Sequence, residues 1–288
     1  MKKSDKIQLE LLSLSLRQEQ GVKFNEPVSV HQMLRNKNII ASFQPLSEGF
    51  EGMAIKILRK EHDVRLFMLV NTSSNYSRQR FTACHELYHL LFQEDFSVSY
   101  ETDNEDGKKS IEEQSADYFA RCLLLPRDGV LSLIPVEKRK RDAISMATVL
   151  KIEQNFRCSR SCLLYRLKEM DLISETVYGL FQHDVIRSAA EYGYPTSLYM
   201  PTHSKELIGD YNVKARQLYD KGLISQAKYF GLLYDMGIDF GKEALDGKSE
   251  GHIGCCGCHS AFHSHRSHHG IEWYLVTSSA VCCRECLS

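Results

Sequence analysis

His85-Glu86-Leu87-Tyr88-His89 sets two imidazoles four residues apart with a carboxylate beside the first. On a helix, residues i and i+4 share one face a turn apart, so both rings can meet one metal ion. Glu86 would project from the same turn, placed to take a proton from water that the ion has made more acidic. Two imidazoles leave zinc short of the usual three protein ligands plus one water. Glu113 is the best third ligand, because Asp117 follows at i+4 on the same predicted helix. Asp117 could accept the second ring N–H of a ligand histidine and fix its tautomer. Glu112, Glu94, Asp95 and, behind them, His183 compete for the third position. Acids in a loop are held less rigidly than acids on a helix. An HExxH pentapeptide also occurs by chance on ordinary surface helices, so its surroundings decide its weight.

Those surroundings must supply a rigid frame. Residues 78–92 carry Phe81, Cys84, Tyr88 and Leu91 at spacings of three and four, which predicts an amphipathic helix with one buried face; Ser77 is its expected N-cap. Met53–Leu58 and Arg65–Val70, parted by a charged stretch, predict an antiparallel strand pair. Residues 93–110 are polar and acidic and read as a loop. A second helix is expected over 111–124, ended by Pro126. Earlier in the chain, residues 5–20 and 28–36 read as helices.

Arg80-Phe81-Thr82-Ala83-Cys84-His85-Glu86-Leu87-Tyr88-His89-Leu90-Leu91-Phe92, then Glu113-Gln114-Ser115-Ala116-Asp117-Tyr118-Phe119-Ala120, then Leu123-Leu124-Leu125-Pro126, resembles the ImmA/IrrE family of metallo-endopeptidases. The strand ending in Val70-Asn71 fits as well. The stronger likeness covers about residues 50–127, and a weaker one runs on to about 240. The resemblance implies zinc on His85, His89 and Glu113, with Glu86 as general base. Asp117 stands where the family commonly has Asn, which suits a hydrogen bond to a ligand histidine. It also implies a bacterial or phage regulatory protease that cleaves a helix-turn-helix repressor, and so a place in transcription regulation. Neither composition nor spacing shows that substrate.

The resulting expectation is an α+β protein. A zincin-like metallopeptidase domain over 1–127, a short antiparallel sheet plus active-site helices, would precede a helix-turn-helix-like region over 128–180. A helical region over 181–250 and a Cys/His-rich tail over 251–288 would follow. Met146–Phe156 and Ser159–Met170 have the helix-turn-helix shape, and the run Lys138-Arg139-Lys140-Arg141 lies just before them. DNA contact is the lesser expectation there, since a basic run is more often a solvated face. Cys158 and Cys162 read as buried thiols. Two further short helices are expected over 206–245, and no internal repeat is seen.

In the tail, Cys255-x-x-Cys258 and Cys283-x-x-Cys286, with 24 residues between the pairs, have spacing close to a zinc ribbon. Trp273 to Val276 would form its strand. A segment of that size has too small a core to fold well without metal. Extra Cys and His residues leave its ligand set ambiguous, and a disordered metal-scavenging tail or an out-of-frame end are the competing readings.

Apolar residues make up 43% and charged residues 25%, a globular composition, and the net charge of −1 exerts no global pull toward nucleic acid or anionic lipid. The longest apolar runs fall short of a membrane span, and the start of the chain lacks an uninterrupted signal core, so the expected compartment is the cytoplasm. A reducing compartment would make clustered cysteines metal ligands rather than bridges. The contrasting reading is a non-catalytic zinc-containing regulator that binds DNA or protein. Half of a toxin–antitoxin pair ranks third.

Overall fold

The computed structural model describes residues 2–58, 64–94, 98–102, 110–235, 263–267 and 270–274. They fall into two compact units, dividing between residues 239 and 240. In the first, α1 (Lys3–Glu19) and α2 (Val30–Asn36) lead into β1 (Ile40–Gln44), β2 (Phe50–Leu58) and β3 (Val64–Asn71). Next come α3 (Tyr76–Leu91), β4 (Val98–Thr102), α4 (Ile111–Leu124) and α5 (Arg127–Leu133). The helices α6 (Met146–Phe156), α7 (Arg160–Glu169), α8 (Glu175–Phe181) and α9 (Val185–Glu191) follow. The unit closes with β5 (Glu206–Ile208), α10 (Tyr211–Asp220) and α11 (Gln226–Asp235). The second unit contains the antiparallel pair β6 (His263–Ser267) and β7 (Gly270–Tyr274). Mixed α+β composition with a small sheet agrees with a zincin-like domain.

The sheet runs β4-β2-β3-β1-β5. The expected antiparallel pair is there, with Met53 opposite Leu69 and Ile55 opposite Phe67. The sheet is not purely antiparallel, however. β1 lies parallel to β3, Phe43 beside Val70, and β2, the next strand in the chain, pairs on the opposite side of β3. The segment read as a loop over 93–110 contains β4, which pairs with β2 through Ala54 and Ser99. Glu206–Ile208, expected to open a helix, instead pairs with β1 as an edge strand.

Asn71 fixes the crossover from sheet to α3. Its buried amide donates to the carbonyls of Ser47 at 3.1 Å and Phe50 at 2.6 Å, and its Oδ1 accepts from the backbone N–H groups of Leu46 and Ser73, both at 2.9 Å. All four hydrogen-bonding positions of the side chain are used, so burial costs it little. α3 then starts two residues earlier than the periodicity suggests. Asn75, not Ser77, is the N-cap, its Oδ1 accepting from Arg78 N at 2.8 Å. Ser77 supports that cap instead by donating its hydroxyl to Asn75 Oδ1 at 2.7 Å.

The spacing also understates how deeply α3 lies. Every residue from Thr82 to Leu90 is buried, so the helix has no solvated face over these turns. It is clasped by the sheet on one side and α4 on another, with Ala83, Leu87 and Leu90 in one core with Ala54, Val70, Phe119 and Leu123. Arg80 ties it onward, donating to the carbonyls of Arg157 and Val28, each at 3.0 Å. Leu163 and Leu167 of α7 belong to the same core.

α6 and α7 flank a turn in which Arg157 takes the left-handed conformation, φ 53°. The buried thiols expected at Cys158 and Cys162 are found, and burial pushes Cys162 up to about 12. At the start of α7, where a DNA-reading helix would present side chains to bases, Arg160 is only 2% exposed. It forks onto the buried Glu153, and its remaining donors reach Phe181 O at 2.9 Å and Ser188 Oγ at 3.1 Å.

Candidate active site

The site is assembled where α3 and α4 cross. His85 is 0% and His89 1% exposed, and both rings lean from consecutive turns of α3 toward the first turn of α4. Ser110 caps α4 by accepting from Glu113 N at 3.1 Å, which holds that turn in place. Glu113 Oε2 lies 3.0 Å from His85 Nε2, and Oε1 lies 3.4 Å from His89 Nε2. The two Nε2 atoms are 3.1 Å apart.

The outer faces of both rings fix their tautomers. His85 Nδ1 lies 3.0 Å from Asp117 Oδ1. A carboxylate only accepts, so Nδ1 donates there, and in the neutral ring Nε2 keeps the lone pair that a metal would take up. His89 Nδ1 lies 2.5 Å from Gln93 Oε1, also an acceptor, and the same assignment follows. Burial lowers the His89 pKa, partly opposed by its hydrogen bond to Gln93, and favours the neutral ring.

Two lone pairs and a carboxylate therefore converge at 3.0–3.4 Å. Three acceptors at that separation repel one another unless a cation or a shared proton sits among them. Ligands bound tetrahedrally at about 2.0–2.1 Å would stand about 3.3 Å apart, so the observed edges suit a small divalent ion. Among the described residues, His85, His89 and Glu113 form the one group of side chains able to hold a metal.

The competing third ligands are elsewhere. Glu112 accepts from the Tyr88 hydroxyl at 3.1 Å and braces α3 against α4. His183 lies in the exposed turn between α8 and α9 beside Gln182. Glu94 is not part of the convergent group, and Asp95 lies outside the described residues. So do Cys255, Cys258, Cys283 and Cys286. Sequence reasoning missed Gln93, although its i+4 spacing from His89 was the available signal.

Glu86 is 0% exposed, in the same helical turn as His85. It faces β2 at a glycine. A Cβ on Gly52 would stand 3.8 Å from Glu86 Cγ and only 2.4 Å from Thr82 Cγ2.

Residues 45–168 match the family model described as the IrrE N-terminal-like domain, a peptidase family. The match spans β2 through α7 and takes in both helices of the site. The protein is thus a metallopeptidase, a hydrolase acting on peptide bonds. The matched segment, residues 45–168, is an ImmA/IrrE-type peptidase domain. No curated protein matched the chain. Among the described residues, no helix is long and apolar enough to cross a membrane.

Proposed function

We propose that the chain is a zinc-dependent endopeptidase that cleaves a regulatory protein, a helix-turn-helix transcriptional repressor, in the cytoplasm. The observation that carries the metal reading is the convergence of His85 Nε2, His89 Nε2 and a Glu113 oxygen within 4.8 Å of one another. The tautomers fixed by Asp117 and Gln93 make both nitrogens donors of lone pairs. Two imidazoles and one carboxylate form a ligand set typical of catalytic zinc.

When bound, the metal would polarise the scissile carbonyl and acidify the attacking water. Glu86 accepts that water's proton and passes it to the leaving amine as the peptide bond breaks. Asp117 and Gln93 hold the two rings in the tautomer that can bind metal. The tail pairs Cys255/Cys258 and Cys283/Cys286 are proposed to hold a second, structural zinc ion on their spacing alone. The same reading takes 1–127 as the peptidase domain, with 128–180 and 181–250 as helical regions and 251–288 as the tail.

The repressor substrate rests on family likeness and is tested by co-expression with the helix-turn-helix repressor encoded nearest the gene. Full-length repressor should disappear and defined fragments should appear by mass analysis with the wild-type chain. Fragments should be absent with Glu86→Gln. An intact repressor in both cultures would reject that substrate, and equal cleavage by both chains would reject Glu86 as the base.

A further inference from the structure

Gly52 stands on β2 just after a one-residue irregularity, where the β4 register shifts between Phe50 and Gly52. A glycine within a strand weakens the strand, and often marks a place where another chain segment approaches closely. Here the approaching segment is the catalytic turn of α3. A Cβ at position 52 would lie 2.4 Å from Thr82 Cγ2 and 3.1 Å from the Leu69 carbonyl oxygen, distances that side chains do not tolerate without movement. Thr82 is one helical turn before Glu86 on the same face, and both are 0% exposed. The Thr82 methyl therefore fills the space over Gly52 that any other residue would occupy.

The hydroxyl of Thr82 is buried and has no hydrogen-bond partner among the described residues. A buried unpaired hydroxyl is a cost, so hydrogen bonding does not explain a threonine here. Its methyl, wedged between α3 and the backbone of β2, does. Two neighbouring contacts hold this end of the helix against β2. Glu51, only 6% exposed, accepts from Ser74 Oγ at 2.7 Å, and Arg78 Nε lies 3.4 Å from the same carboxylate oxygen.

We propose that Gly52 and Thr82 are a matched pair of positioning residues: the missing side chain of one and the methyl of the other set the height of α3 above β2, and through it the place of the Glu86 carboxylate beside the metal ligands. The claim rests on the reading of Glu86 as the proton acceptor.

The test moves one methyl group. Gly52→Ala adds it on the strand, and Thr82→Ser removes it from the helix. The double variant therefore keeps the atom count and the Thr82 hydroxyl position. Cleavage by the zinc-loaded full chain is read by mass spectrometry on a proteome-derived peptide mixture. Thermal stability and metal content are measured on the same samples. Cobalt(II)-loaded protein gives a readout independent of turnover, because the visible band responds to the group beside the open coordination position.

Gly52→Ala should lower kcat by roughly 10–100-fold with little change in KM, the scale expected when a reacting group is misplaced by about an ångström. Its metal content should stay that of the wild type, and its cobalt band should shift. The pair Gly52→Ala/Thr82→Ser should regain most of the lost rate and the wild-type band. A fully active Gly52→Ala variant would overturn the proposal. So would an inactive double variant with wild-type stability and metal content. If no peptide is cleaved, the band decides alone: it must shift in Gly52→Ala and return in the double variant. Glu86→Gln serves as the control. Were it to cleave normally, the base assignment would fail, whatever the Gly52 variants did.

Discussion

His85 Nδ1 and Asp117 Oδ1 lie 3.0 Å apart, joining the central turn of α3 to the second turn of α4. The contact pins the ring, selects its tautomer, and turns Nε2 toward Glu113 at 3.0 Å. In the proposed metal site one carboxylate on α4 orients a ligand histidine, while another, one turn earlier, supplies the third ligand.

Asp117→Ala should keep all three metal-binding side chains but release the ring. Metal affinity is expected to fall by about 10–100-fold, the usual scale for loss of a partner behind a ligand histidine. Competition with a chelating dye measures it. Unchanged affinity would mean that packing alone orients His85.

Glu113→Ala leaves the two histidines without their carboxylate. The two Nε2 atoms, 3.1 Å apart, then lack the carboxylate of the proposed third position. Metal at this site should be lost at ordinary chelator concentrations, and peptidase activity with it. Retention of tightly bound metal and activity would show that a different acid is the ligand.

Cys84, Cys122, Cys158 and Cys162 are buried free thiols. Burial pushes Cys84 and Cys122 up to about 12 and Cys158 well above the ordinary thiol range. Thiolate is the reactive form, so these four should resist iodoacetamide at pH 8 in the native protein and react after denaturation. Peptide mapping by mass spectrometry separates them from the six tail cysteines. Rapid native labelling of Cys84 would contradict its burial in α3.

Glu153 is 0% exposed and Arg160 2%. Removing one member of such a pair strands the other, so Glu153→Ala should destabilise the fold by about 3–5 kcal/mol, read as a shift in the urea midpoint. Because Arg160 is committed inward, Arg160→Ala should leave any weak DNA retardation in a gel unchanged, although it too lowers stability. Loss of sequence-selective DNA binding in a still-folded Arg160 variant would restore a base-reading role for α7.

Local periodicity made much of this legible. α4 falls on the expected residues 111–124, and His85, His89 and Glu113 converge in one group with Asp117 against His85 Nδ1. Non-local pairing was not legible. β1 is five residues long and joins β3 in parallel, an arrangement that nothing within Ile40–Gln44 encodes. β4 lies in a polar edge segment, and β5 has three residues, too few to show alternation. Gly52 lies just before the strand expected over Met53–Leu58 and carries no local signal. Its meaning comes from Thr82, 30 positions later in the chain and 2.4 Å from the Cβ it lacks.

The most direct measurement is anomalous diffraction at the zinc edge from crystals of the zinc-loaded full chain. A peak is expected about 2.0–2.2 Å from His85 Nε2, His89 Nε2 and one Glu113 oxygen, with Glu86 beside it and unbound. A peak elsewhere only, or one at the two histidines with Glu113 turned away and no other carboxylate bound, would contradict the site on which the catalytic account stands.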